Sequence, residues 1–294
     1  NNLKAAAAAL IHAIQNNSPT VWMAVPEVIS WEEILGFKYH GHVIHDDIYI
    51  SEFKASFRKP LDSIDQFKSR TIFAIDSRDD SVRYSWNAYK CLLGEVTLNG
   101  SSYCLNNSKW YKVDNGYVAL INQDYASTEI SQIDFLDYTA EFLTEGNYNE
   151  KYETQNPDQY LCMDQKVIMH GGGHSSIELC DILSKDKQLI HIKKYTSSAV
   201  LSHLFNQAAV SAELMLSDND FLAKARQKIA ELSDEEAFSI NDERQISIVF
   251  GIISKGDNPL PSIPFFSKVA FRYTKSRLTA FGLSVSIKAI KDLK

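Results

Sequence analysis

Cysteine is scarce in this chain: Cys91, Cys104, Cys162 and Cys180 are the only four, and no two form a C-x-x-C pair. That spacing excludes a disulfide framework and a cysteine-based zinc knuckle, and predicts buried thiols in a reducing cytoplasm. No apolar run reaches about 18 residues, and no basic-apolar-small leader is present, so neither a membrane span nor a secretory signal is expected. Positive charge is also in deficit, with 30 Lys and Arg against 37 Asp and Glu for a formal charge of −7. A surface coated throughout for nucleic acid is therefore excluded. A local basic face remains available near the end, where Lys268, Arg272, Lys275, Arg277 and Lys288 precede Lys291 and Lys294; a solvated helix face accounts for it equally well.

What is present is a chain of 294 residues, 45% apolar and 11% aromatic, which can bury the core of one large or two ordinary domains. It begins Asn-Asn-Leu-Lys without a methionine, and we expect an N-terminal part to precede it. Leu3 to Gln15 is alanine-rich and helical by propensity, ended by Asn16-Asn17-Ser18-Pro19. Thr20 to Val25 reads as a short strand, and His40, His42 and His45 with Asp46 and Asp47 as a loop cluster with little metal-site logic. Thr71 to Asp76 and Ser81 to Trp86 predict a hairpin whose acids, Asp76 included, are ordinary turn residues. Asn99-Gly100 between alternating runs is the strongest hairpin signal, and predicts a meander over Cys91 to Lys112. The composition then turns polar and acidic, with a break at Gly146 and the asparagines around it. We expect a strand-rich α+β module over 1–140 and a second, α/β domain over 141–294.

The second domain is organised around Ser175 to Glu213. Ile177 to Leu183 is an apolar run carrying Glu178 and Asp181, Ser184 to Gln188 is a turn, and Leu189 to Lys194 is a second run carrying His191 and Lys193. A helix follows from Ser198 to Leu216, with Val200, Leu204 and Ala208 on one face. If Leu183 pairs with Leu189, Asp181 falls opposite His191, and Asp181, His191 and Lys193 share a face. Glu178 then lies on the other face unless the strand bulges. Cys162 to Met169 reads as a preceding strand, Tyr148 to Gln155 as a short helix bearing Glu150, and Gln245 to Ser254 as a β-rich strand. Gly171-Gly172-Gly173 lacks the lysine and helix of a phosphate loop and reads as a turn.

An acid on one strand beside a polar-x-Lys pair on the next resembles the PD-(D/E)xK, or restriction-endonuclease-like, nucleases, whose core runs helix, three-strand meander, helix, strand. The resemblance implies a Mg2+ or Mn2+ cofactor held by Asp181, Glu178 and Glu150. It further implies that Lys193 orients water or stabilises the phosphorane, with His191 as ligand or proton relay and Gln207 in support from the helix. His191 stands where an acid is expected, and a neutral imidazole is a poorer partner for Mg2+ and a better one for Mn2+ or Zn2+. The phrases WMAVPEVISWEEILGFKY, GNYNEKY, IELCDILSKDKQLIHIKKY and PFFSKVAFR also resemble a sporadically distributed bacterial family of unassigned function.

The functional expectation is a cytoplasmic metal-dependent nuclease acting on DNA, or on RNA, in phage defence or mobile elements, with a homo-oligomer or a defence-system protein as possible partner. The alternative is a non-catalytic nucleic-acid-binding or scaffold protein with a degenerate nuclease-like core.

Overall fold

The computed structural model describes residues 2–18, 20–27, 29, 34–45, 47–170, 175–195, 198–233, 236–240 and 245–294. Two compact units emerge. The first comprises 1–123 with 196–200 and 263–268, and the second 124–195, 201–262 and 269–294, so the division is not a single cut in the chain.

In the first unit, α1 (Asn2–Gln15) is followed by β1 (Val21–Met23), β2 (Ile34–His40) and β3 (Val43–His45). Next come α2 (Ile50–Ala55), α3 (Ile64–Lys68), β4 (Thr71–Asp76) and β5 (Val82–Asn87), then β6 (Leu92–Leu98), β7 (Ser101–Asn106) and β8 (Lys109–Val113). Two four-stranded antiparallel sheets result, ordered β1-β6-β7-β8 and β3-β2-β4-β5. The Asn99-Gly100 turn forms as the sequence predicts, both residues at positive φ (48° and 72°), the geometry that matches strand twist. Leu10 of α1 packs so closely on β6 that a Cβ at Gly94 would lie inside its methyl groups. His40, His42 and His45 belong to the β2–β3 hairpin rather than a loop, and the His45 ring stacks on Tyr39 at 4.4 Å.

The second unit begins within α4 (Asn115–Ala126), a helix the sequence reading did not anticipate because its apolar pattern is weak. It continues through β9 (Glu129–Ile130), α5 (Glu145–Gln155), β10 (Tyr160–Cys162), β11 (Val167–His170), β12 (Ser175–Glu178), β13 (Ile182–Ser184) and β14 (Gln188–Lys194). Helices α6 (Ser198–Ser217) and α7 (Asn219–Leu232) precede β15 (Ser247–Ser254), α8 (Phe265–Ala280) and β16 (Ser284–Lys291). Gly146, read from the sequence as a break, lies instead in the first turn of α5, where Thr144 caps the helix by accepting from the Asn147 N–H. Gly282, at φ 85°, follows the end of α8 in the left-handed backbone that glycine favours.

A six-stranded mixed sheet, β10-β13-β14-β15-β16-β9, forms the frame. Its first two pairings are antiparallel and its last three parallel. One face, with Ile182, Ile190, Ile192, Val249 and Ile290, is covered by Tyr138, Phe142 and the α5 residues Tyr148 and Tyr152. On the other, Phe250 meets Phe205 of α6 and Phe271 of α8 in edge-to-face contacts of 5.0 and 5.9 Å. Each such ring contributes roughly 1.5–3 kcal/mol through burial, with a smaller bonus for edge-to-face geometry. Gly251 keeps β15 bare beneath Phe135, whose ring a Cβ would meet at 3.3 Å. Over 145–254 the order is α5, strands β10 to β14 with β11 and β12 set apart as their own hairpin, helices α6 and α7, and β15; the fold is mixed α+β with a strand-rich first part. Among the described residues no helix is long and apolar enough to cross a membrane.

Candidate metal and acid-base site

The register that organises the site is the expected one, with Leu183 opposite Leu189 and Ile182 opposite Ile190. The strands flanking it are not continuous. Cys162 to Met169 and Ile177 to Leu183, each read from the sequence as one strand, are both broken in two. β10 pairs with β13 in the large sheet, whereas β11 pairs with β12 in a separate two-stranded sheet. Between them, Met163 to Lys166 on one arm run past Leu179 to Asp181 on the other.

Backbone geometry on the facing arm accounts for the break. Gln165 sits at φ 59°, left-handed backbone that ends strand geometry, and the Lys166 N–H returns to the Met163 carbonyl at 3.0 Å. The backbone is still satisfied. Asp181 donates its N–H to the Ile190 carbonyl and accepts from the Met163 N–H, at 3.0 and 2.8 Å, while Ser211 of α6 donates its hydroxyl to the Leu179 carbonyl at 3.0 Å.

Breaking the strand changes which side chains can meet. In an unbroken strand Glu178 and Asp181, three residues apart, point to opposite faces. Here Asp164, Glu178 and Asp181 each offer a carboxylate oxygen, and the three oxygens lie within 4.8 Å of one another, all half-buried. The Asp181 carboxylate accepts from the Ile192 N–H at 2.6 Å, Asn149 of α5 donates to Asp164 at 3.3 Å, and Gln207 of α6 donates to Glu178 at 3.0 Å. On the neighbouring strand the Lys193 ammonium is 2.6 Å from the carboxylate of Glu145, whose other oxygen accepts from the Lys194 N–H at 2.9 Å.

Among the described residues, three carboxylates, those of Glu145, Asp181 and Asp164, act on the one ammonium of Lys193. Burial, followed by the neighbouring Asp164 and Glu145 charges, pushes Asp181 up to about 8 against the pull of the Ile192 N–H and Lys193. Asp164 is raised by burial and by Glu145. Burial pulls the Lys193 ammonium down, but Glu145, Asp181 and Asp164 outweigh it and the net shift is upward. A cluster of hard oxygen donors with raised carboxyl pKa values has the donor set that Mg2+ or Mn2+ takes. A bound divalent cation would relieve the repulsion.

Of the residues singled out in the sequence, Asp181, Glu178, Gln207 and Lys193 come together here. Glu150 does not join the carboxylate group. It is exposed on α5 and reaches Asp164 only through its charge; Glu145, one helical turn and a residue earlier, makes the contact with Lys193 instead. His191 is also outside the group. Its ring is 2% exposed, leans on Phe250 at 5.9 Å, and is held neutral because burial lowers it to about 3. Glu145 and Asp164 were missed in sequence reading. The signal for Asp164 was Asp-Gln-Lys interrupting an apolar run, and for Glu145 the Thr-Glu cap pattern hidden by Gly146. A second grouping, His170 with Asp218 and Asp220, has a structural explanation: Asp218 caps α7 and Asp220 pairs with Lys224 at 2.6 Å.

A family model described as a family of unknown function (DUF6119) matches residues 1–291. No curated protein and no solved structure matches the chain.

Proposed function

Because the chain belongs to DUF6119, a family of unknown function, its chemistry has to be read from the site, and we propose that it is a metal-dependent nuclease hydrolysing phosphodiester bonds in DNA or RNA. One observation carries this reading: the break in the hairpin gathers Asp164, Glu178 and Asp181 beside the Lys193 ammonium. Those three acids would hold Mg2+ or Mn2+, which when bound supplies an activated nucleophile and charge neutralisation. Gln207 orients Glu178, Asn149 orients Asp164, and Lys193, tethered by Glu145, offers positive charge to the developing phosphorane. With the β11–β12 hairpin and α7 set aside, the order from α5 to β15 is helix, three strands, helix, strand, as in the restriction-endonuclease-like core, and this supports the same reading by analogy. DNA is favoured over RNA as substrate, in the cytoplasm, within a bacterial defence role that brings a second copy or a defence protein as partner.

Substituting Lys193→Ala tests the enzyme reading. Purified protein with Mn2+ or Mg2+ is expected to cut DNA or RNA, and the variant to lose cutting by at least about 100-fold with the fold intact. No cutting that this change removes, across several metals and substrates, defeats it.

The second reading, a nucleic-acid-binding or scaffold protein without catalysis, is favoured by the close engagement of Lys193 with Glu145, which occupies the ammonium. It predicts salt-sensitive binding independent of metal, and titration with Mn2+ separates the two.

A further inference from the structure

Resting on the nuclease reading, a problem arises at the lysine. Lys193 is 2.6 Å from the Glu145 carboxylate and its ammonium is stabilised by three acids, so it keeps its proton at neutral pH. A permanent ammonium stabilises negative charge but cannot take a proton from the attacking water. The base has to be another group.

His191 is sealed in: 2% exposed against Phe250, it has no path to solvent-borne substrate. Asp164, Glu178 and Asp181 are the acids a cation would occupy. Among the described residues, one further imidazole, that of His203, is near enough to feel the Lys193 charge. His203 lies on α6 four residues before Gln207, so the two occupy the same helical face one turn apart, and Ser211 follows one turn later. That stripe runs along the broken hairpin, with Ser211 on the Leu179 carbonyl and Gln207 on Glu178. His203 sits at its open end. The residue is exposed and makes no hydrogen bond among the described residues. Packing around the ring, and then the nearby Lys193 charge, lower its pKa, so the imidazole is neutral at neutral pH and able to accept a proton.

We infer that His203, at the exposed end of the α6 stripe formed with Gln207 and Ser211, is the general base of this site. Its neutral ring nitrogen takes a proton from the attacking water as the water oxygen bonds to phosphorus. The bond from phosphorus to the leaving oxygen breaks, that oxygen takes a proton from solvent water, and the imidazolium returns its proton to solvent. Lys193 and the acids keep their charge states throughout. The position one turn from Gln207 explains why a residue on α6, outside the Asp181 to Lys193 segment, can serve it.

The experiment compares wild type, His203→Ala and Lys193→Ala for Mn2+ binding by calorimetry and for cleavage with and without added imidazole. General-base catalysis is worth about 100- to 10,000-fold. The expected result is a loss in that range for His203→Ala with Mn2+ affinity within about twofold of wild type. Added imidazole should restore part of the rate in His203→Ala and none in Lys193→Ala. Cleavage by His203→Ala at the wild-type rate overturns the inference and leaves the nuclease reading standing. A rate loss accompanied by lost Mn2+ binding, or one that imidazole does not relieve, also overturns it, since His203 then positions or supports the site. If wild type binds Mn2+ but cuts nothing, the nuclease reading fails and the inference with it.

Discussion

Asp76 and Asp181 are both acids at a strand end, and the molecule treats them in opposite ways. Asp76, at the end of β4, is gripped by Arg78 through its main-chain N–H, Nε and Nη2 at 2.8–3.0 Å, and by Arg83 at 2.8 Å. Those partners, Arg78 foremost, hold its carboxyl well below the usual range. Asp181 has one backbone donor, a crowd of other acids, and a pKa pushed up to about 8. An acid with two guanidiniums is finished as a structural element. An acid raised by burial among other acids is waiting for a cation, and that difference locates function better than the presence of the acid does.

The largest expected effect breaks this comparison outright. Asp181→Asn should abolish Mn2+ binding, weakening it by at least about 100-fold, and cutting with it, since on the proposed reading it removes one of the three acids that would hold the ion. The metal-free variant should nevertheless be at least as stable as wild type, because the folded protein no longer has to keep a proton that the unfolded chain gives up at neutral pH. Asp76→Asn should do the reverse, leaving Mn2+ binding unchanged and lowering the thermal midpoint by removing the carboxylate charge that Arg78 and Arg83 grip. Calorimetric titration and thermal melts on the two proteins decide it. Equal loss of stability in both would mean that Asp181 is a structural acid after all.

How much of this was legible beforehand follows from what local patterns encode. The hairpin register came from Leu183 and Leu189 and is correct, as are the limits of α6 to within a residue, because its apolar period is clear. The unforeseen part is the break. Nothing local distinguishes Ile177 to Leu183 from a continuous strand; the interruption is imposed from outside, by Gln165 turning left-handed on the facing arm and Ser211 holding Leu179 from α6. Parity along an ideal strand therefore assigned Glu178 to the wrong side. It also promoted His191, which alternation does place next to Asp181, but whose surroundings of Phe250 and Phe205 no strand pattern reveals.

The pH dependence of stability sharpens the contrast without any substrate. A carboxyl raised to about 8 in the folded protein and near 4 unfolded holds its proton more tightly when folded, so stability falls as pH rises between about 4 and 8. A lowered carboxyl such as Asp76 has the opposite sign: its contribution is present above about pH 4 and is lost as pH falls below it. Melts of the metal-free protein should thus peak near about pH 5. Mn2+ should flatten the decline on the alkaline side and leave the acid side alone. Asp181→Asn should flatten the same limb with no metal added. A metal-free curve level from pH 5 to 8 would remove the argument that the acids repel one another.

The smallest effect concerns His191, the residue that stands where an acid was expected. Its Nε2 is buried without a hydrogen-bond partner, an arrangement that costs stability instead of adding to it. Replacing a buried, unsatisfied polar group by an apolar one of similar size is close to neutral, so His191→Leu should shift stability by less than about 1 kcal/mol in either direction. Mn2+ binding and cleavage should stay within about threefold of wild type, because a ring lowered to about 3 by burial neither titrates near neutral pH nor reaches the carboxylates. A His191→Leu protein that folds but loses Mn2+ would restore His191 as a ligand and redraw the site around it. If the variant retains both, the position that separates this chain from an acid-x-Lys pattern is a packing position, and the missing ligand is supplied by Asp164 from across the break.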